Sequence, residues 1–416
     1  MTVADLLIEI VGEDSPVRIE AYDASSLGPT NSSTTIRILS PLALQHVVAA
    51  RGREIGFARA IVAGEIEIDG DVFGLFDIND RVAQQTISHQ LIRPTAELLG
   101  ITGLRDLLRF RPPPPPPEEI KLRGRLHSRE RDAEAISSHY DVSNSFYEIV
   151  LGRAMTYSCA VFERPDDALF TAQENKHDLI SRKLGLRPGM RHLDIGCGWG
   201  SMVLHAARHY GVQSVGVTIS RAQAERARKR VADAGLADQI EIRIQDYRDV
   251  NDGPFDAISS IGMAEHVGGP NQLRTYFSQV RGLLAPNGRF LNHAIGRSAN
   301  IEPAGPSGFI QRYVFPDGEL HELGAMITAM QESGFEARHM ETLRLHYART
   351  LRAWVSNLEA SWDEAVAEVG LGRAMVWRLY MAGSAVAFER GEIEIHQVLA
   401  MPHGADRNAI PLRPDW

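Results

Sequence analysis

The sequence predicts a doubly wound α/β fold with a mostly parallel sheet, preceded by a smaller α+β domain. Three observations carry that expectation. Buried-strand patterns alternate with helical patterns from about residue 191 onward. A glycine-rich octet stands directly between one such strand and the helix that follows. Six consecutive prolines, Pro112 to Pro117, separate this region from an earlier one of different pattern. Strand–helix alternation implies parallel strands with helices on both faces, and ligands then bind beyond the carboxyl ends of the strands.

Composition narrows the class. The chain has 416 residues, 44% apolar and 23% charged, so it is not disordered throughout. At roughly 150 residues per domain, two or three domains fit. The 53 acids outnumber the 44 Lys plus Arg, and the net charge is −9. A nucleic-acid binder usually shows a basic balance, so nucleic acid is not an expected partner. Two cysteines exclude a disulfide scaffold and a multi-cysteine zinc module. No run approaches the roughly 18 apolar residues of a membrane span. The start, MTVADLLIEIVGEDSPVRIE, carries early acids and no basic leader, so no secretory signal is expected. A large cytoplasmic enzyme is the expectation.

The elements follow in order. VRIEAYDASSLGP and TTIRILSP read as two β runs with turn chemistry between them. LALQHVVAARG and IGFARAIVAG are amphipathic helical patterns, each stopped by glycine. EIEIDG alternates as a short strand, and TAELLGITGLRDLLRF is a last helical stretch. No nucleophile–base pair or metal spacing appears here, so a docking or regulatory role is expected. The prolines form polyproline II, about 3.1 Å per residue and roughly 19 Å in all. A charged stretch, EEIKLRGRLHSRERDAE, follows. The expected division is residues 1–111 as an accessory domain, 112–134 as a linker and 135–416 as a catalytic domain.

In the second domain RHLDIGCG, QSVGVTIS, IEIRIQDY, FDAISSIGMAEH and GRFLNHAIG are strand patterns. RAQAERARKRVADAG and QLRTYFSQVRGLLAP are helices between them. LDIGCGWG, residues 193–200, is the informative octet. Its glycines let backbone approach a ligand closely, and the next helix offers free N–H groups. The spacing lacks GxGxxG, and Thr218 stands where a nicotinamide site often has an acid. The form resembles the S-adenosylmethionine loop of class I methyltransferases. In that fold Asp246 ends the third strand near the adenine, and Ile261 and Gly262 end the fourth. Cys197 within the loop reads as packing.

The resemblance then becomes closer. HYDVSNSFYEIVLGRAMTYSCAVF, LDIGCGWGS, VGVTIS, QDYRD, GMAEHVG, FLNHAIG and YVFPDGEL occur in the order and spacing of cyclopropane fatty acid synthases and mycolic acid methyltransferases. The similarity covers about residues 135–400; the leading domain is similar more weakly. It implies S-adenosylmethionine as cofactor, held by Tyr157 and Ser158 on the lid side, Gly196 and Gly198 in the loop, Thr218, Ile219 and Gln223 after the second strand, and Asp246 and Ile261. Gln245, Asp246 and Tyr247 replace a Trp-Glu pair of the mycolic enzymes. No metal is expected.

The implied substrate is an isolated double bond of an unsaturated acyl chain in phospholipid. An alkene attacks only a strongly electrophilic methyl, such as that of a sulfonium. The carbocation left behind must be kept from water until a base removes a proton. Relatives are thought to hold bicarbonate as that base, and its binding residues map onto Cys159, Glu265, His293, Ile295 and Tyr347. Glu148 departs from the pattern, since synthases usually carry a small or neutral residue there. A carboxylate reaching the cavity could replace bicarbonate or change which proton leaves. This departure, with the style of PVRIEAYDASSLGP, resembles the actinobacterial subgroup that makes a 10-methylene stearoyl product on the way to tuberculostearic acid, with a separate reductase downstream. The resemblance also implies a homodimer and peripheral contact with the inner face of the membrane. Lys121, Arg123, Arg125, Arg129 and Arg131 offer basic charge for headgroups, interleaved with Glu118, Glu119, Glu130 and Asp132. A face around Phe146 and Tyr147 is a candidate acyl entrance. The rivals are cyclopropane synthesis with bicarbonate, methylation of a soluble O or N nucleophile, and an inactive lipid-binding protein.

Overall fold

The computed structural model describes residues 2–50, 54–78, 97–100, 111–121, 143–301, 308–406 and 410–416, with Gly124, Ser128, Arg129, Arg131 and Glu134 between. The helix expected in TAELLGITGLRDLLRF lies outside them except for residues 97–100. The chain forms two compact units. One comprises Met1–Lys121, Gly305–Pro316 and Trp362–Val386; the other comprises Leu122–Ala304, Asp317–Ser361 and Ala387–Trp416. The expected division was linear, but the units are interleaved along the chain.

The first unit is α+β. Strands β1 (Arg18–Ala21), β2 (Ser26–Leu27), β3 (Thr34–Ile38) and β4 (Ile66–Gly70) form a sheet in the order β2-β1-β3-β4. Thr34, Ile36 and Ile38 are buried while Thr35 and Arg37 are less so, the period of two that a one-faced sheet requires. Helices Pro41–Ala49 and Glu54–Val62 stand where the glycine-stopped patterns put them. The sequence reading missed helix Val3–Val11. Its signal was there: Thr2 Oγ1 accepts from the Asp5 N–H, and the Asp5 carboxylate accepts from the Thr2 N–H.

Glu119 falls within the expected linker yet is not solvated. It is buried, and Arg59 grips both its oxygens at 2.9 Å. Arg312 and the Tyr313 hydroxyl donate to it as well. Burial pushes this carboxyl up, but the two guanidinium groups outweigh that and hold it below the usual range. The segment after the prolines is therefore pinned by ion pairs to helices Glu54–Val62 and Phe309–Tyr313 of the same unit.

The second unit is the expected doubly wound α/β sheet. Its strands are β5 (Arg191–Ile195), β6 (Gln213–Thr218), β7 (Ile240–Ile244), β8 (Phe255–Ile261), β9 (Leu284–Arg297), β10 (His321–Glu322), β11 (Phe335–Thr342) and β12 (Ile393–Pro402). The order is β11-β12-β9-β8-β5-β6-β7, with β10 beside β9. Pairs from β7 through β9 are parallel, and β12 runs antiparallel to both β9 and β11. β5 thus has β6 on one side and β8 on the other, the switch point at which a crevice opens.

Both faces of this sheet are covered. Helices Pro270–Leu283 and Leu323–Glu332 bring Tyr276, Phe277 and Met330 against Phe290 and Phe335. Helices Leu169–Leu184 and Ser201–Tyr210 bring Ile180, Leu184, Met202 and Ala206 against Ala257, Leu291 and Leu399. Glycine closes both of these helices, Gly185 and Gly211 each in the left-handed conformation.

Phe290 is fully buried, between Phe277 at 6.1 Å and Phe335 at 5.4 Å. Phe290→Ala is expected to lower the stability of this unit by about 3–5 kcal/mol in urea unfolding. A loss under about 1 kcal/mol would show that the cluster does not hold the sheet.

Candidate active site

The crevice opens at the carboxyl ends of β5, β6 and β8. After β5 the chain must turn sharply, and Gly196, Gly198 and Gly200 have φ of 77°, 52° and 80°. A side chain at these positions would be strained whatever the space around it. The N–H groups of Gly196 and Cys197 both donate to Val217 O at 3.0 Å, which fixes the loop to β6. Cys197 is buried against Gly216, where an added Cβ would come within 2.9 Å of the sulfur. Its role is packing.

Tyr157, Ser158, Gly196, Gly198, Thr218, Ile219, Gln223, Asp246 and Ile261 all line this crevice. Thr218 donates its hydroxyl to Gln223 Oε1 at 2.9 Å and accepts from the Ser220 N–H. The Gln223 amide is thereby oriented beside the glycine loop. Asp246 caps the short turn Tyr247–Asp249 and takes hydrogen bonds from Arg248. Burial raises its carboxyl, yet those bonds win and keep it below the usual range, an ionised acceptor at the third strand end. Tyr157 belongs to an aromatic wall, 5.3 Å from Trp354 and 5.7 Å from Tyr147. Such faces attract a cation such as a sulfonium.

Sequence reasoning missed Lys176. It lies fully buried on helix Leu169–Leu184 and lines the crevice with Asp194. Burial brings its ammonium down to about 8 and the Asp194 carboxyl up to about 7, while each charge favours the other. Asp194 also accepts from Ser259 Oγ at 2.6 Å, and Ser259 contacts His192 at 2.9 Å. The signal was periodic: Gln173, Lys176, Ile180 and Leu184 follow the spacing of a core stripe.

Glu265, His293, Ile295, Cys159 and Tyr347 come from four separate stretches of chain, and none of them is among the described residues lining the crevice. Glu265 is in the short turn Ala264–His266 after β8. His293 and Ile295 share one face of β9, and His293 stands in register with Ile261. Tyr347 begins helix Arg344–Ala360, packed on Trp354 and Phe388. Cys159 Sγ lies 3.2 Å from Ala160 O and 3.7 Å from Leu343 O. Burial pushes the thiol far up, so it is no nucleophile. The Ile295 N–H is given to Glu265 Oε1 at 2.7 Å. Both ring nitrogens of His293 and Glu265 Oε2 are buried without hydrogen-bond partners among the described residues. Burial holds His293 well below its usual value, and so neutral, and raises Glu265 to about 7. Orphaned groups of this kind cost about 1–3 kcal/mol each unless something fills the site. One neutral imidazole and one carboxyl near neutrality fit a small oxyanion such as bicarbonate.

Glu148 does not join them. Helix Asn144–Leu151 buries Phe146, Tyr147, Val150 and Leu151, which turns Glu148 outward. It is exposed, ion-paired with Arg226, and not among the described residues lining the crevice. Phe146 and Tyr147 are wholly buried, Tyr147 at 4.5 Å from Trp199, and so are core instead of an entrance. Of the basic cluster, Arg129 pairs with Asp249 at 3.0 Å and Arg131 with Asp317 at 2.8 Å. Arg123 and Arg125 lie outside the described residues. Among the described residues no helix is long and apolar enough to cross a membrane.

Comparison with known proteins adds to the geometry. Residues 127–398 match the family described as mycolic acid cyclopropane synthetase. The chain is 46% identical over 411 residues to a probable fatty acid methyltransferase of Mycobacterium tuberculosis, covering 96% of this chain and 95% of that one. It is 38% identical over 277 residues to the cyclopropane-fatty-acyl-phospholipid synthase of Escherichia coli, 66% of this chain and 69% of that one. Mycolic acid cyclopropane synthase CmaA1, solved with SAH and CTAB, superposes with a TM-score of 0.60 at 32% identity, over 64% of this chain and 97% of that one.

The pH dependence of stability reports on Glu265. Burial raises its carboxyl from 4.5 to about 7, so the folded state holds this proton more tightly than the unfolded chain. The resulting stability is present below the unfolded value and is lost as pH rises through the folded one. Glu265→Gln removes the titration. In urea unfolding the variant should gain on wild type between pH 4.5 and 7, by on the order of 3 kcal/mol. A difference constant across that window would show that the carboxyl does not titrate there.

Proposed function

The chain belongs to the mycolic acid cyclopropane synthetase family, and on that premise we propose that it methylates the double bond of an oleoyl chain in membrane phospholipid, giving a 10-methylene product. It is an S-adenosylmethionine-dependent methyltransferase that modifies lipids. What supports the reading is a crevice lined by the cofactor residues, together with His293 and Glu265, which lie outside that lining, are buried and hold polar atoms unpartnered among the described residues. A methyltransferase for a soluble O or N nucleophile would not need that dry, unsatisfied set.

The chemistry follows from the sulfonium. The π electrons of the alkene form a bond to the methyl carbon as the carbon–sulfur bond breaks, and neutral S-adenosylhomocysteine leaves. The positive charge passes to the neighbouring chain carbon. Aromatic faces at Tyr157, Trp354 and Tyr347 stabilise charge in a place that water does not reach. A hydride shift moves the charge to the methylated carbon, and loss of a methyl proton leaves an exocyclic methylene. His293 and Glu265 would hold bicarbonate, which supplies the base when bound. Such a product needs a reductase to become the 10-methyl branch of tuberculostearic acid. An acyl chain in a bilayer also requires the protein to visit the membrane surface.

A second reading has a specific observation behind it. Because Glu148 faces solvent, the methylene outcome rests on resemblance of the leading domain alone. Ring closure on the same cation, by loss of the methyl proton toward the neighbouring carbon, gives a cyclopropane. The two products are isomers, so mass does not separate them. Proton NMR of the lipid formed from S-adenosylmethionine and dioleoyl phospholipid does. Vinylidene protons are expected; upfield ring protons alone would establish the cyclopropane synthase, and turnover of a soluble amine or phenol in place of lipid would sink both.

Two variants test the residue roles. His293→Gln should lower kcat by about 10²- to 10⁴-fold, the usual worth of a positioned proton acceptor, because the variant would no longer hold the bicarbonate base, with S-adenosylhomocysteine affinity unchanged in calorimetry. Glu148→Ala should change neither rate nor product, since an exposed ion pair contributes about 1 kcal/mol or less to stability.

A further inference from the structure

Two helices beside the crevice carry a cluster that methyl transfer does not use. Helix Leu169–Leu184 supplies Glu174 and Asp178; helix Ser201–Tyr210 supplies His205 and His209. One ligand atom from each of Glu174, His205 and His209 lies within 4.8 Å of the others. Glu174 Oε2 stands 3.2 Å from His205 Nδ1. Two ligands of a tetrahedral zinc are about 3.3 Å apart at ordinary bond lengths. His205 and His209 are four residues apart on one helix and so share a face, the spacing with which helices bind zinc.

A separate observation points to a ligand. The His205 ring is buried, and its Nε2 has no hydrogen-bond partner among the described residues. Asp178 Oδ1 is the carboxylate oxygen near that nitrogen, at 3.9 Å. Neither neutral tautomer suits these surroundings. A proton on Nδ1 serves Glu174 but leaves a lone pair on Nε2 toward Asp178. A proton on Nε2 leaves a lone pair on Nδ1 against the Glu174 carboxylate. A cation at Nδ1 beside Glu174, whether a proton or a metal ion, resolves the conflict, because Nε2 then carries a proton toward Asp178. Ligating histidines commonly present their second nitrogen to a carboxylate in this way. Asp178 is itself fixed by the Tyr210 hydroxyl at 2.6 Å and Arg182 at 2.8 Å.

We propose that Glu174, His205 and His209 form a site for a zinc-like divalent cation, with water completing a tetrahedron and Asp178 behind His205. None of the three ligands lines the crevice among the described residues, so the site is structural. It staples together the two helices, one of which carries Lys176 and His177 into the crevice wall. The His177 ring lies 5.6 Å from that of His205, which places the staple against this wall.

The test is titration of the metal-stripped full-length chain with zinc chloride by calorimetry, and with cobalt(II) by visible absorption. One equivalent should bind with Kd of about 1 μM or tighter, and cobalt should give the intense bands of a tetrahedral site. His209→Ala, at an exposed position, should weaken zinc by about tenfold or more. His403→Ala, at another exposed histidine, should leave it unchanged. Absence of a saturable site in wild type, or equal affinity in wild type and His209→Ala, would overturn the proposal.

Discussion

A parallel sheet built outward in both directions from one strand has to open where the building direction reverses. Here that strand is β5, with β6 on one flank and β8 on the other. The connections leaving β5 and β8 depart to opposite faces, and nothing closes the gap between them. The glycine loop exists to round that corner, and its left-handed conformations are what the corner demands. Helix Ser201–Tyr210 then starts at the opening with its free N–H groups toward the ligand. Displacing the loop would dismantle the crevice, since Val217 O and the packing of Cys197 on Gly216 tie it to β6.

The same closed packing governs the acids and bases inside. Asp194 and Glu265 are both raised to about 7, and Lys176 is lowered to about 8. Burial is the largest cause for all three. An interior that refuses charge leaves these groups able to gain or lose a proton near neutrality, whereas in water they would be fixed in one form. His293 is pushed the other way and stays neutral. A carbocation of the proposed reaction would meet few nucleophiles in such surroundings and several groups able to take a proton.

How much of this was legible follows from what is local. The glycine loop, Thr218, Asp246 and Ile261 sit at strand ends, so strand patterns alone put them on one rim. Lys176 was legible in principle, as a lysine on an apolar stripe. Glu148 was misjudged because closeness in sequence to Tyr157 and Cys159 says nothing about which way a helix face turns. The stripe of Phe146, Tyr147, Val150 and Leu151 already implied that it points out. The bond from the Ile295 N–H to Glu265 was not legible, because the two partners come from different strand ends. The unit containing Gly305–Pro316 and Trp362–Val386 was beyond reach, since composition marks breaks in a chain and not which distant pieces pack together.

That last arrangement bears on how the gene can be cut and joined. Glu119 is held by Arg59 from before the prolines and by Arg312 from almost two hundred residues after them. Arg378, later still, donates to the carbonyls of Ile68 and Gly70. The leading region is therefore no cassette that recombination could transplant with a single crossover at the prolines. A chain begun at residue 112 would keep the helix Phe309–Tyr313 and the segment Trp362–Val386 yet discard the sheet they were shaped to cover. The two halves have to be inherited as one reading frame, and a change on either side of the prolines is answerable to residues on the other.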